Sequence, residues 1–225
     1  MLVNFTVKVA QLKNVIITGS NGMIGNLVLH DCLNRDDVKQ VTSLSRKPLG
    51  IVHPKLKEVI HNDFMDYSNI EDTLKNQDLC FFCIGVYTGK VSKEEFKKIT
   101  VDVTKIFATV LKRNSPNADF CFLSGQGADQ AEKSKVMFAR EKGIAENILL
   151  GLHFPHTYIF RPGYIYPVTP RKEPHFGYTF MRIIYPLVKP FPNASVTSIQ
   201  LATKMVEIGL NGGNKIVYEN KDIRG

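Results

Sequence analysis

No run of apolar residues in this chain approaches the roughly 18–20 that a membrane span requires, so no transmembrane segment is expected. Cysteine is sparse, with four residues in 225, too few for a disulfide framework. Cys80, Cys83 and Cys121 lie in apolar strand-like runs and Cys32 in the first helical pattern. Although Cys80 and Cys83 form a C-x-x-C, residues three apart on a strand face opposite sides of it. Buried, reduced thiols of a cytoplasmic protein are therefore expected, and neither a metal site nor a redox centre. There is no internal repeat and no low-complexity linker. With 44% hydrophobic residues the chain can bury a full core and reads as one domain over residues 1–225. The start, residues 1–13, alternates apolar and polar residues and lacks a small-residue cleavage site. It reads as an extra strand or a loose arm rather than a signal peptide.

The net charge of +8 lacks the organisation that nucleic acid would demand. Lys and Arg are spread along the chain in clusters no longer than Lys97-Lys98 and Lys112-Arg113, without a stripe interleaved with aromatics. Attraction of anionic ligands, including a phosphorylated cofactor, is the more economical use of the charge.

What the chain does have is a glycine segment, Gly19-Ser20-Asn21-Gly22-Met23-Ile24-Gly25, between the β-branched run Val15-Ile16-Ile17-Thr18 and an apolar helical pattern. Strand, glycine turn and helix is the context that makes such a pattern a phosphate-binding argument. Gly19 permits a sharp exit from the strand. Gly22 lets a pyrophosphate approach the backbone, and Gly25 lets the helix pack closely. The positive end of the helix then faces the anion. A dinucleotide is expected.

Strand-like runs at 14–18, 39–45, 57–61, 78–84, 118–124 and 156–161 alternate with helical patterns near 23–34, 68–76, 92–113 and 134–151. That alternation implies an α/β, doubly wound Rossmann-type parallel sheet with helices on both faces. Residues 164–176 hold three prolines and read as a loop; 177–189 is aromatic-rich; a last helical pattern runs from Ser198 to Leu210, and Ile216-Val217-Tyr218 suggests a short strand. Residues 164–198 would form a small substrate-covering segment.

In such a sheet the ligand lies beyond the carboxyl ends of the strands. The second strand ends in Ser45-Arg46-Lys47, where NAD-binding folds carry an acid for the ribose hydroxyls. Two cations there suit a 2′-phosphate, so NADP is favoured over NAD. After the third strand, Asp63 can accept from the adenine amino group with Phe64 supporting the ring. Cys83-Ile84-Gly85 ends the fourth strand, where Gly85 would let the backbone pass close to a ribose.

These motifs, together with Leu123-Ser124, Gly127-Ala128-Asp129 and Arg161-Pro162-Gly163, resemble atypical short-chain dehydrogenases/reductases of the NAD-dependent epimerase/dehydratase group. The likeness is closest to Tat-interacting-protein-like oxidoreductases and covers roughly residues 14–221. It implies hydride transfer to or from a small-molecule carbonyl or alcohol. Lys142 would hold the nicotinamide ribose, Ser124 would donate a hydrogen bond to substrate, and Pro162 and Gly163 would shape the nicotinamide pocket. Two departures stand out. The tyrosine position four before Lys142 holds Phe138, which has no proton to give, and the paired serines are Ser124-Gly125. The asparagine often found on the long helix is replaced by Asp102. A literal Y-x-x-x-K, Tyr185-Pro186-Leu187-Val188-Lys189, lies beyond the sixth strand with a proline inside it, and is set aside. Tyr87 is the candidate substitute acid, its plainer reading being an aromatic packed under a loop. The rival to an enzyme is a cofactor-binding sensor or scaffold with little turnover. Aromatic and apolar residues in 164–198 suit an apolar or aromatic small-molecule ligand, a lipid surface or a homo-oligomeric contact, and the sequence does not choose among them.

Overall fold

The computed structural model describes residues 12–169, 183 and 185–224. Its frame is a seven-stranded parallel sheet: β1 (Lys13–Thr18), β2 (Val38–Ser45), β3 (Leu56–Ile60), β4 (Leu79–Phe82), β5 (Asp119–Leu123), β6 (Thr157–Arg161) and, completing the edge, a strand at Val217–Glu219. The sheet runs from β3 through β2, β1, β4, β5 and β6 to that strand. Chain order reverses between β1 and β4, so the carboxyl ends of these two neighbours form the switch point where ligands bind in open α/β sheets.

Parallel central strands covered on both faces must be apolar throughout, and β1 shows why. Val15 and Ile17 enter one core and Ile16 the other, because successive side chains alternate across the sheet. On one face lies α1 (Met23–Leu33), joined there by a later helix at Ser198–Asn211; Val28, Leu29, Leu201, Met205 and Val206 pack with Phe81 and Phe160. The other face is aromatic. Phe82, Phe107, Phe120 and Phe122 form a ring-on-ring cluster with Leu111 and Leu149.

Several elements differ from expectation. The pattern near 68–76 is a 3-10 helix, Ser68–Leu74. The single helix expected at 92–113 is three pieces: α2 (Lys93–Lys97), a π-helical turn (Lys98–Asp102) and α3 (Val103–Asn114). The Ser92 cap is present, its hydroxyl accepting from the Glu95 amide at 3.1 Å. The helix after β5, α4, starts at Met137 and runs to Gly151; the expected 134–136 are non-helical because Asp129 ties down the preceding loop. Its carboxylate accepts from the amides of Ala131, Lys133 and Ser134.

The loop expected from residue 164 begins instead as β7 (Tyr164–Tyr166), paired in parallel with β8 (Ser195–Thr197) in a separate two-stranded sheet. Three prolines of the 164–176 stretch follow β7, so the strand ends where Pro167 removes a donor. The helix after β8, α5 (Ser198–Asn211), opens on a Thr197–Gln200 capping box and stops at Gly212, φ +84°. The edge strand at 217–219 is β9, followed by a short α6 (Asn220–Arg224) that the sequence pattern does not announce. The N-terminal extension, residues 1–11, and much of the covering segment, including Phe176, Tyr178, Phe180, Met181 and Ile184, lie outside the described residues. Within that segment the Tyr166 and Tyr185 rings stack at 3.8 Å. All four cysteines are free and buried.

Candidate functional site

The glycine turn sits at the switch point. Gly19 has φ +77°, and a Cβ there would meet the backbone of Cys83 at 2.8 Å, where β4 ends. A Cβ on Gly25 would strike the Gly19 carbonyl oxygen, so the first turn of α1 rests directly on the loop. Gly22 is different: it is exposed, has φ −81°, and its added Cβ would lie 3.1 Å from the Gly19 oxygen. Gly19 and Gly25 are thus required by the fold itself, and Gly22 only weakly. The Gly22 amide donates to the Gly19 carbonyl at 2.8 Å, closing the turn. Gly22 is also the N-cap of α1; no side chain caps the helix and its first turn holds no acid. Amides at a helix start without such partners attract an anion.

The other residues of the loop divide by burial. Ser20 is fully buried, its hydroxyl accepting from Ser43 at 2.9 Å, so only its backbone remains for a ligand. Asn21 is exposed and reaches the Pro48 carbonyl at 3.4 Å, linking this loop to the one after β2. Met23 is half-buried and Ile24 is in the core.

At the end of β2, the Ser45 hydroxyl donates to the Lys47 carbonyl at 2.8 Å and fixes the turn. Arg46 and Lys47 project from it, exposed, with no side-chain hydrogen bond or ion pair among the described residues. The nearby acid, Glu58, accepts from the Leu49 amide at 2.6 Å. After β3, one Asp63 oxygen accepts from the Met65 amide at 2.9 Å, so the carboxylate is partly spent on its own turn. Phe64 leans on His61 and Tyr67. Following β4, Cys83 is buried against the glycine loop, Ile84 is half-buried and Gly85 exposed. A Cβ on Gly85 would meet no protein atom, leaving open space beside the switch point. Tyr87 is half-buried in the same loop.

At the end of β5 and along α4 the geometry corrects two expectations. Ser124 was expected to donate to substrate, but its hydroxyl donates to Glu146 Oε1 at 2.5 Å. Arg161, expected at the cofactor, is committed to carboxylates. It donates from Nε to Glu146 Oε1 at 3.0 Å, from one terminal nitrogen to Glu146 Oε2 at 2.5 Å, and from the other to Glu219 at 3.0 Å. These bonds hold its pKa above the ordinary arginine value. Glu146 has no solvent exposure and also accepts from Gln130 Nε2 at 2.9 Å. It stands one helical turn after Lys142, and the sequence reading passed over it. Its signal was available in the spacing Phe138, Lys142, Glu146, which puts all three on one face of α4.

Lys142 is 7% exposed. Its Nζ donates to the Leu123 carbonyl at 3.0 Å and lies 4.9 Å from the centre of the Phe122 ring. Burial lowers its pKa to about 8 against the opposing pull of Glu146. The Phe138 ring covers Gly125: a Cβ on Gly125 would collide with its Cζ. The glycine at the serine position and the phenylalanine at the tyrosine position therefore occupy each other's space. Pro162 accepts from the Gln126 amide at 2.9 Å. The Gly163 amide donates to Asn220 at 2.7 Å, and a side chain on Gly163 would press into the Ala194 carbonyl. Both hold the β5 and β8 loops together at the sheet's carboxyl edge.

A cleft of about 710 Å³ lies at the opposite edge, lined by Lys13, Asp119, His156, Tyr158 and Gly212. Its lining includes Lys13 and Asp119, the first residues of β1 and β5, at the end of the sheet away from the glycine turn, so that turn rather than this cleft defines the candidate site.

No family model matches the chain. It is 28% identical over 167 residues to Protein FMP52, mitochondrial, from Candida albicans, covering 72% of this chain and 70% of that protein. With Protein HTATIP2 from Rattus norvegicus it shares 26% identity over 156 residues, 68% of this chain and 63% of the other. The matched stretch thus falls short of two thirds of the rat protein's length. Among solved structures, the Bordetella bronchiseptica enzyme WbmH, crystallised with NAD+, superposes with a TM-score of 0.70 at 16% identity, covering 92% of this chain and 75% of that one. That likeness establishes the Rossmann-type fold. The relatives and the fold match the resemblance drawn from the motifs, an atypical short-chain dehydrogenase/reductase close to the Tat-interacting-protein-like proteins. They overturn the cytoplasmic expectation, since the similar proteins from Candida albicans, Debaryomyces hansenii and Lodderomyces elongisporus are all named mitochondrial. No described helix is long and apolar enough to cross a membrane.

Proposed function

We propose that this chain is an NADP(H)-binding oxidoreductase of the short-chain dehydrogenase/reductase type, moving hydride to or from a carbonyl or alcohol of a small apolar or aromatic molecule. The observation that carries it is the start of α1, uncapped by any described side chain, acid-free and opened by an exposed glycine at the switch point, with room for a side chain at Gly85 after the neighbouring β4. These residues fit a diphosphate. The bound cofactor would supply or accept the hydride. The amides after Gly22 hold the diphosphate, Gly85 leaves room for a ribose, and Lys142 has two ammonium hydrogens left for ribose hydroxyls after bonding Leu123. Arg46 and Lys47 take the 2′-phosphate, and their exposed side chains, without a hydrogen bond or ion pair among the described residues, support NADP over NAD. Phe138 replaces the usual tyrosine, so the proton must come from elsewhere, with Tyr87, in the loop after β4, the candidate on the cofactor side.

Calorimetric titration tests this. NADPH binding at least tenfold tighter than NADH, with the difference erased in Arg46→Ala/Lys47→Ala, is expected. Equal affinities would replace NADP by NAD; no heat with any pyridine nucleotide refutes the reading.

A second reading, a nucleotide-dependent sensor or scaffold with little turnover, is favoured by one observation: Phe138 seals Gly125 with a ring that has no titratable group. Losing a positioned general acid costs about 10²–10⁴ in rate. Tight nucleotide binding with no turnover across a carbonyl panel selects it.

A further inference from the structure

We infer that Glu146 is a positioning residue that fixes Ser124 as a hydrogen-bond acceptor only, so that the site selects a ligand carrying its own hydroxyl or amino hydrogen. The inference deepens the oxidoreductase reading and rests on it for the identity of the site. A carboxylate offers about four lone-pair directions, and Glu146 receives four hydrogen bonds. Ser124 and Arg161 Nε share Oε1; the second Arg161 nitrogen and Gln130 share Oε2. Arg161 and the Gln130 amide nitrogen can only donate. The acid therefore carries no hydrogen of its own to offer, and the 2.5 Å contact has the serine hydrogen on it.

A hydroxyl has one hydrogen and two acceptor directions. With its hydrogen spent, Ser124 presents lone pairs alone, and no described side chain donates to it. A ketone oxygen set against Ser124 would place acceptor against acceptor. An alcohol or amine would complete the bond. The arrangement is held rigidly, because Glu146 is fully buried and Arg161 is anchored at its far end by Glu219. Ser124 itself stands at the carboxyl end of β5, next to the Leu123 carbonyl that holds Lys142. The direction of one hydroxyl at the site is thus set by a fully buried carboxylate.

The test uses a matched pair, 1-phenylethanol and acetophenone, titrated by saturation-transfer NMR into the full chain with and without NADP+. Wild type should bind the alcohol about tenfold tighter, the value of one hydrogen bond. In Glu146→Ala the serine hydrogen loses its acceptor and can turn to a ligand, so the preference should vanish or invert; a purely structural role would weaken both compounds alike. Should Glu146→Ala fail to fold, Ser124→Ala, which leaves the Glu146–Arg161 pair intact, must lose alcohol affinity and keep ketone affinity. Equal binding by wild type, a ketone preference, binding of neither compound, or an unchanged preference in the variants overturns the inference. An alcohol preference in a protein that binds no nucleotide would uphold it while removing the oxidoreductase reading.

Discussion

Replacing Lys142 by methionine should stabilise the fold at neutral pH while damaging the site. The lysine is 7% exposed, and its pKa falls from the ordinary 10.5 to about 8, chiefly through loss of solvent. At about 1.36 kcal/mol per pH unit, keeping it charged costs the folded chain about 3 kcal/mol. Methionine removes that charge and keeps most of the stem, but strips the Leu123 carbonyl of its donor, which costs about 1 kcal/mol. The net expectation is a gain of about 2 kcal/mol at pH 7. The sign follows from proton counting. Below pH 8 both folded and unfolded chains hold the proton, and the full cost is present. Between about 8 and 10.5 the unfolded chain binds more protons, so wild-type stability from this group rises with pH. The four buried thiols oppose it. Burial pushes each of them above 9.0, Cys83 to about 12, so they lose stability for the fold as the unfolded thiols ionise. The contributions of Cys32, Cys80 and Cys121 are common to both proteins and cancel in the difference; burial dominates at Cys83 too, with the Lys142 charge a smaller, opposing influence. Guanidinium unfolding at pH 7 and pH 10 should therefore show Lys142→Met about 2 kcal/mol more stable at the first pH and no more stable at the second. A variant less stable at pH 7, or a gap that does not change with pH, refutes the burial argument. Calorimetry should show its nucleotide affinity reduced.

Gly22→Ala should cost less than about 1 kcal/mol of stability, because its Cβ touches only the Gly19 oxygen at 3.1 Å, yet reduce NADPH affinity at least tenfold. Gly25→Ala, whose Cβ would overlap that oxygen, should unfold at markedly lower denaturant; equal losses for the two variants would contradict the division between binding and packing glycines. Gly125→Ala should cost about 1–3 kcal/mol by overpacking against Phe138. In a Phe138→Leu background most of that cost should disappear, and additive costs in the double mutant would show that the two positions are not coupled.

The alternation of β-branched runs with helical patterns was enough to specify a parallel sheet wound on both faces. Both signals are local: an apolar strand such as Val15-Ile16-Ile17 and a glycine turn behind it report their own conformation, whatever the rest of the chain does. The same locality made the end of β2 legible, since Ser45-Arg46-Lys47 follows the strand directly. Local pattern also misled. The pattern over 92–113 reads as a single helix, whereas the folded chain has a π-helical turn at Lys98–Asp102 between two α-helical pieces. A proline-rich stretch hid β7, whose partner β8 lies about thirty residues away. The functional directions of Ser124 and Arg161 were the least readable. Each is a plausible ligand contact by position in its motif, and Glu146 redirects both. Which hydrogen points where depends on a carboxylate brought from α4 against the ends of β5 and β6. Such hydrogen bonds join residues 15 and 22 apart in the chain and leave no periodic trace. Strand, turn and helix are written in nearest neighbours; the protonation and aim of the site's side chains are decided by burial and by partners that only the folded chain assembles.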